Sequence, residues 1–197
     1  MKMATLFARL AALTAVAALF AGFGGTAAAA APAPAAQPEK TVTATAEMRI
    51  TGFDRAVAEQ HGFEIRTTAD GREYSVKKGT ARNAGVSTDN VVYGNCGSSY
   101  LWYDAIGGSA NQIRTGFTVN QAATSYWWLV VMRDDGGQSS RNWAGGLLLR
   151  TSWGVTSIAR NMTHGFSDAY VSTGSSAILW NGAVCTSGGP SDFTWTY

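Results

Sequence analysis

From Gly85 to Tyr197 the apolar residues recur with a period of two, and no stretch of any length carries the 3.6-residue period of a helix. Successive side chains of a strand point to opposite faces, so this rhythm commits the segment to β-structure. "QIRTGFTVN" (112–120) is the clearest case, with Ile113, Thr115, Phe117 and Val119 on one face and Gln112, Arg114, Thr118 and Asn120 on the other. "CGSSYLWYD" (96–104), "YWWLVVMR" (126–133), "GLLLRTSW" (146–153), "GFSDAYVS" (165–172), "AILW", "AVCT" and "DFTWTY" complete the set. Turn signals separate them, the strongest being Asn181-Gly182 and Asp135-Gly136-Gly137. Seven to eight short strands between such turns predict an antiparallel β-sandwich over residues 84–197.

The N-terminal part is organised differently. Lys2 and Arg9 precede the apolar run Leu10–Phe23, and small residues with A-x-A spacing follow up to Ala31, which is the layout of a secretory signal peptide over residues 1–30. That run has 14 residues, against roughly 20 for a membrane-spanning helix. Secretion with no integral membrane association after cleavage is therefore expected. Residues 31–47, rich in Ala, Pro and Thr, read as a flexible linker. Residues 48–83 read as a helix–hairpin unit: Asp54 as N-cap and Gly62 as C′ bracket a short helix whose apolar side is Phe53, Ala56 and Val57. "FEIRT" and "REYSV" then alternate around Asp70-Gly71. So small a unit needs a surface to dock on.

"SYWWLVVMR" offers one. Both of its faces are apolar, as in a strand buried on both sides. Covering its outer face with the helix–hairpin unit would place Trp127 and Trp128 both in the core.

Loss of Lys2 and Arg9 with the signal leaves 13 basic and 13 acidic residues, so the mature net charge is zero. A nucleic-acid partner, which calls for a basic face, is not expected. Cys96 and Cys185 suit an oxidising compartment, and a bridge between them would be worth about 4–5 kcal/mol by loop-closure entropy. A reactive thiol at Cys96, in "GNCGSS", is the other reading. Nothing in the sequence implies a metal or another cofactor.

Acid–base equipment is sparse. His164 is the only histidine after Gly85, with Asp168 four residues on; on a strand these two share a face while Ser167 points away, so no local Ser–His–Asp set forms. His164 and Asp168 are the weak catalytic candidates, and the β-rich part carries no glutamate to pair with an aspartate across a glycosidic bond. Aromatic residues are enriched instead, with all seven tryptophans after Lys78. Flat rings supply core area, and they also stack on sugars. Trp143, in the polar "GGQSSRNWAGG", is expected to be the most exposed, with Arg141 and Asn142 as neighbouring ligand-binding candidates.

The strings "VVYGNCGSSYLWYD", "GGLLLRTSWG" and "ILWNGAVCTSGGP" resemble a group of small exported two-cysteine proteins of high-GC Gram-positive bacteria, over residues 85–197. The resemblance implies export, the cysteine pair and an all-β domain, and carries no activity. The expected function is a secreted, monomeric, non-catalytic binding module for polysaccharide or a cell-surface component. The alternatives are a secreted hydrolase using His164 and a secreted protein-interaction factor of inhibitor or toxin type.

Overall fold

The computed structural model describes residues 43–81 and 94–197. The stretch read as a signal peptide, and the stretch read as a linker up to residue 42, lie outside the described residues. Among those described, the chain forms ten strands and one six-residue helix: β1 (Thr45–Phe53), α1 (Arg55–Gln60), β2 (Phe63–Thr67), β3 (Glu73–Lys77), β4 (Asn95–Ala105), β5 (Ala110–Asp134), β6 (Gly137–Arg160), β7 (Gly165–Val171), β8 (Ser176–Leu179), β9 (Ala183–Ser187) and β10 (Ser191–Thr196).

The expected sandwich of two sheets is replaced by a single sheet that closes on itself. The cause is β5, which joins two segments read as separate strands into one of 25 residues. β6 pairs along one edge of β5. The other edge is shared in succession by β4 at Asn111–Val119, β8 at Ala123–Trp127 and β7 at Val130–Asp134. Because β4 leads through β1 and β9 back to β8, these five strands form a closed barrel, with β6, β7 and β10 as extensions. β1 is therefore a barrel strand between β4 and β9, and its first three residues fall within the stretch read as linker. Cys96 on β4 and Cys185 on β9 form a disulfide that ties the strands on either side of β1.

The β5–β6 hairpin turns at Asp135-Gly136, as its sequence signal requires, but it does not run straight. Trp143 and Trp153 are ten residues apart on one strand, about 33 Å if extended, yet their ring centroids lie 6.0 Å apart. The hairpin folds over at a corner where the register shifts between Thr118 and Ser125. On β6 the corner falls at Leu147-Leu148-Leu149: Leu147 is buried inside it, while Leu148 and Leu149 take left-handed backbone angles (φ 46° and 61°) and face outward. Phe117, Tyr126, Trp128, Trp143 and Trp153 pack ring against ring between the two arms. The indole N–H of Trp128 donates to Thr115 Oγ1 at 3.0 Å, so the fully buried ring keeps its polar atom satisfied.

The helix–hairpin unit is present, with Asp54 accepting from the Val57 N–H as N-cap and Gly71 at φ 85° in its turn. It docks elsewhere than expected. Asp54 N donates to Gly182 O, Ser75 Oγ to Asn181 O at 2.7 Å, and Phe63 meets Trp180 edge to face at 5.2 Å. The β8–β9 turn is thus the docking surface, and the helix buries Ala58 rather than Ala56 or Val57. Trp127 is left 42% exposed while Trp128 is fully buried, so only one of the pair belongs to the core.

Candidate ligand-binding face

β4 alternates strictly: Leu101 and Tyr103 enter the core, so Ser98, Tyr100, Trp102 and Asp104 point outward. The register carries this face across three strands. Trp102 lies beside Arg114 and Thr156, Asp104 beside Gln112 and Ile158, Tyr100 beside Gly116 and Gly154, and Ser98 beside Thr118 and Ser152. The two glycines make room at the centre: the Tyr100 hydroxyl sits over both, and a Cβ at either would collide with it. Trp102 is 44% exposed. Arg114 and Asp104 form an ion pair at 2.8 Å with both partners about half exposed, a geometry that orders the side chains more than it stabilises the fold.

Where this face meets the corner of β6 there is a cleft of about 320 Å³, lined by Tyr100, Thr118, Arg150, Ser152, Trp153 and Gly154. Arg150 follows the two left-handed leucines directly. The cleft is at the small end of the roughly 300–1,000 Å³ typical of ligand sites. It presents one guanidinium, three hydroxyl groups (Tyr100, Thr118 and Ser152) and aromatic surface, which can bind a polyhydroxylated or anionic molecule and supply no general base.

The residues singled out from sequence fall in several places. Trp143 stands opposite Trp128 on the far arm and is half-buried against the core and Trp153. Trp102, Trp127 and Trp195 are more exposed, because the polar "GGQSSRNWAGG" forms strand rather than loop and turns its tryptophan inward. Asn142 and Arg141 are exposed, but as consecutive strand residues they face opposite ways, so these two do not converge with Trp143 on one ligand. His164 Nε2 lies 3.0 Å from Ser109 Oγ at the surface. Asp168 is 7% exposed and its carboxylate accepts from Arg133 at 2.7 Å, a bond that raises the guanidinium pKa. No group of three His, Cys, Asp or Glu residues that could hold a metal is found among the described residues.

Beneath the face lies a second polar cluster. Asn111 donates to Tyr103 Oη (2.9 Å) and Thr196 Oγ1 (2.8 Å), and Tyr103 Oη lies 3.0 Å from Ser167 Oγ. All four residues are buried and every polar side-chain atom there is satisfied, so the cluster reads as architecture. Burial pushes the Tyr103 phenol above its ordinary value, against the opposing effect of its hydrogen bonds.

The outward pair Tyr100 and Trp102 was missed from sequence. Its signal was the alternation of "SYLWYD", but four of those six residues are large and apolar or aromatic, so the pattern does not say which side is inside. No family model matches this chain, and no curated protein matches it.

Proposed function

We propose that this chain is an exported, non-catalytic binding module for polysaccharide or a cell-surface component, and that the outer face of β4, β5 and β6 is its binding surface. The observation that carries the reading is Trp102. It stands 44% exposed on a regular three-strand face, beside the ordered Arg114–Asp104 pair, while the fold buries Trp128 completely. A ring held on a sheet stacks on a sugar without an entropy cost of ordering a loop. The disulfide and the N-terminal signal pattern favour an extracellular site of action. Among the described residues no helix is long and apolar enough to cross a membrane.

Retention of the secreted protein on cellulose, chitin and peptidoglycan tests the proposal. Binding to at least one, abolished by Trp102→Ala and preserved in Trp143→Ala, is the expected result. Failure on all three, together with failure on soluble glycans, sinks it.

One contact favours a second reading. Ser109 Oγ and His164 Nε2 are 3.0 Å apart, the beginning of a nucleophile–base pair for a secreted hydrolase. Asp168 is held by Arg133, and the Ser109 N–H donates to Tyr197 O. Turnover of ester, peptide or glycoside substrates that vanishes in His164→Ala would favour this reading over the first.

A further inference from the structure

Nine arginines fall among the described residues. Six are bonded to a carboxylate: Arg49 to Glu47, Arg55 to Glu73, Arg66 to Glu64, Arg72 to Asp70, Arg114 to Asp104 and Arg133 to Asp168. The other three, Arg141, Arg150 and Arg160, all lie on β6, which contains no acidic residue, and none of them has an ion pair among the described residues. Their surroundings separate them. Arg160 lines a cleft that also contains Asp134. Arg141 lines none of the described clefts. Among these clefts, Arg150 borders one free of carboxylates, next to Tyr100, Thr118 and Ser152.

We propose that this cleft takes the acidic substituent of an anionic polysaccharide, with the Arg150 guanidinium as its counter-ion and the Tyr100–Trp102 face holding the adjoining sugar rings. The inference rests on the polysaccharide reading above and narrows it to a ligand class. A guanidinium presents a planar fork of donors that matches carboxylate, sulfate or phosphate oxygens two at a time. Thr118 and Ser152 each add a hydroxyl that donates or accepts, the complement of a sugar hydroxyl. The position of Arg150 is set by the backbone, since it leaves the corner directly after two leucines in a conformation that leucine rarely adopts. Strained backbone of this kind is retained where the surrounding structure holds it, and it collects at ligand sites.

Affinity electrophoresis and calorimetry of the secreted protein against polygalacturonate, dextran sulfate and neutral galactan test the proposal. Binding to an acidic polymer that falls roughly 10- to 100-fold in Arg150→Gln, is partly kept in Arg150→Lys, and changes less than about twofold in Arg141→Gln and Arg160→Gln supports it. Preference between the carboxylated and the sulfated polymer identifies the acid group. Three results overturn it. Trp102-dependent binding of the neutral polymer, unaffected by Arg150→Gln, removes the anionic ligand but keeps the binding face. Equal losses in all three arginine variants mean diffuse charge attraction in place of a site. No binding to any of the polymers removes both proposals. Urea midpoints of the variants, expected to be unchanged for these exposed side chains, show that binding rather than folding is read.

Discussion

Leu148→Gly should make this protein more stable than Leu148→Ala. In an ordinary strand the order is reversed, since glycine costs roughly 0.5–1 kcal/mol more than alanine in lost backbone freedom. At φ 46°, however, every residue with a Cβ carries a left-handed penalty of roughly 1–2 kcal/mol, which glycine escapes. The side chain contributes little to the comparison with wild type. Leu148 is 88% exposed, so only a small part of the roughly 1.5–3 kcal/mol from a fully buried leucine is at stake. The net expectation is that Leu148→Gly exceeds Leu148→Ala by about 0.5–1 kcal/mol and exceeds wild type by slightly less. Leu149→Gly removes a similar penalty (φ 61°) but also a side chain that is only 48% exposed, so its gain is expected to cancel. Urea unfolding with the disulfide intact, fitted with a common slope, resolves these differences. If glycine at 148 proves less stable than alanine by 0.5 kcal/mol or more, Leu148 is not left-handed and the account of the corner fails.

Other substitutions probe other joints. Reducing or deleting the Cys96–Cys185 bridge, whose ends are 89 positions apart, should cost about 4–5 kcal/mol in urea melts, enough to unfold a domain of ordinary stability at elevated temperature; a loss under 1 kcal/mol would mean the reduced chain stays compact. Gly182→Ala places a methyl group within 2.5 Å of Asp54 O and 2.7 Å of Ala58 Cβ at φ 87°, and should cost roughly 2–4 kcal/mol while releasing α1, seen as faster amide exchange at residues 54–62. The raised Tyr103 phenol gives a pH dependence: above about pH 10 the unfolded chain releases a proton that the folded chain retains, so stability that is intact below pH 10 should fall as pH rises through that window. Tyr103→Phe should flatten that decline, and ultraviolet titration should show one phenol ionising only with unfolding. Trp128→Ala should cost about 3–5 kcal/mol and Trp127→Ala much less, since the first ring is fully buried and the second 42% exposed.

Much of the fold was legible from local chemistry. Asp54 as N-cap, Asn181-Gly182 and Asp135-Gly136 as turns, and the inward set Ile113, Thr115, Phe117 and Val119 all follow from short-range rules. What was not legible depends on pairing partners far along the chain. Residues 137–146 lack apolar alternation because β6, among the described residues, pairs only with β5 and leaves both faces largely wet, so its composition resembles a loop. β1 was missed for another reason: "TAEMRITGF" does alternate, with Ala46, Met48 and Ile50 between Thr45, Glu47, Arg49 and Thr51, but its start runs on from the Ala- and Thr-rich stretch read as linker, and its place between β4 and β9 depends on distant ladders. The docking site of α1 was misplaced because an apolar strand face invites a cover, and sequence does not show that Trp127 would stay partly open while Trp180 took the contact.

The corner also explains why "GLLLRTSW" misleads as a strand. Regular alternation over this string would put Leu147, Leu149 and Trp153 on one face, and two successive left-handed residues break it. That break costs roughly 1–2 kcal/mol at each leucine. It is offset across the fold: Phe117 and Trp153 on one arm each meet Tyr126 and Trp128 on the other, and Trp153 also meets Trp143. Each such contact contributes roughly 0.5–1.5 kcal/mol beyond the area it buries, so five of them outweigh the strain. A straight ribbon would relieve both leucines and lose every one of these contacts, leaving five aromatic rings in water. Three of the seven tryptophans, Trp128, Trp143 and Trp153, are therefore what bends the hairpin, and the candidate ligand face is left to Tyr100 and Trp102 outside the bend, with Arg150 set beside Tyr100 by the corner itself.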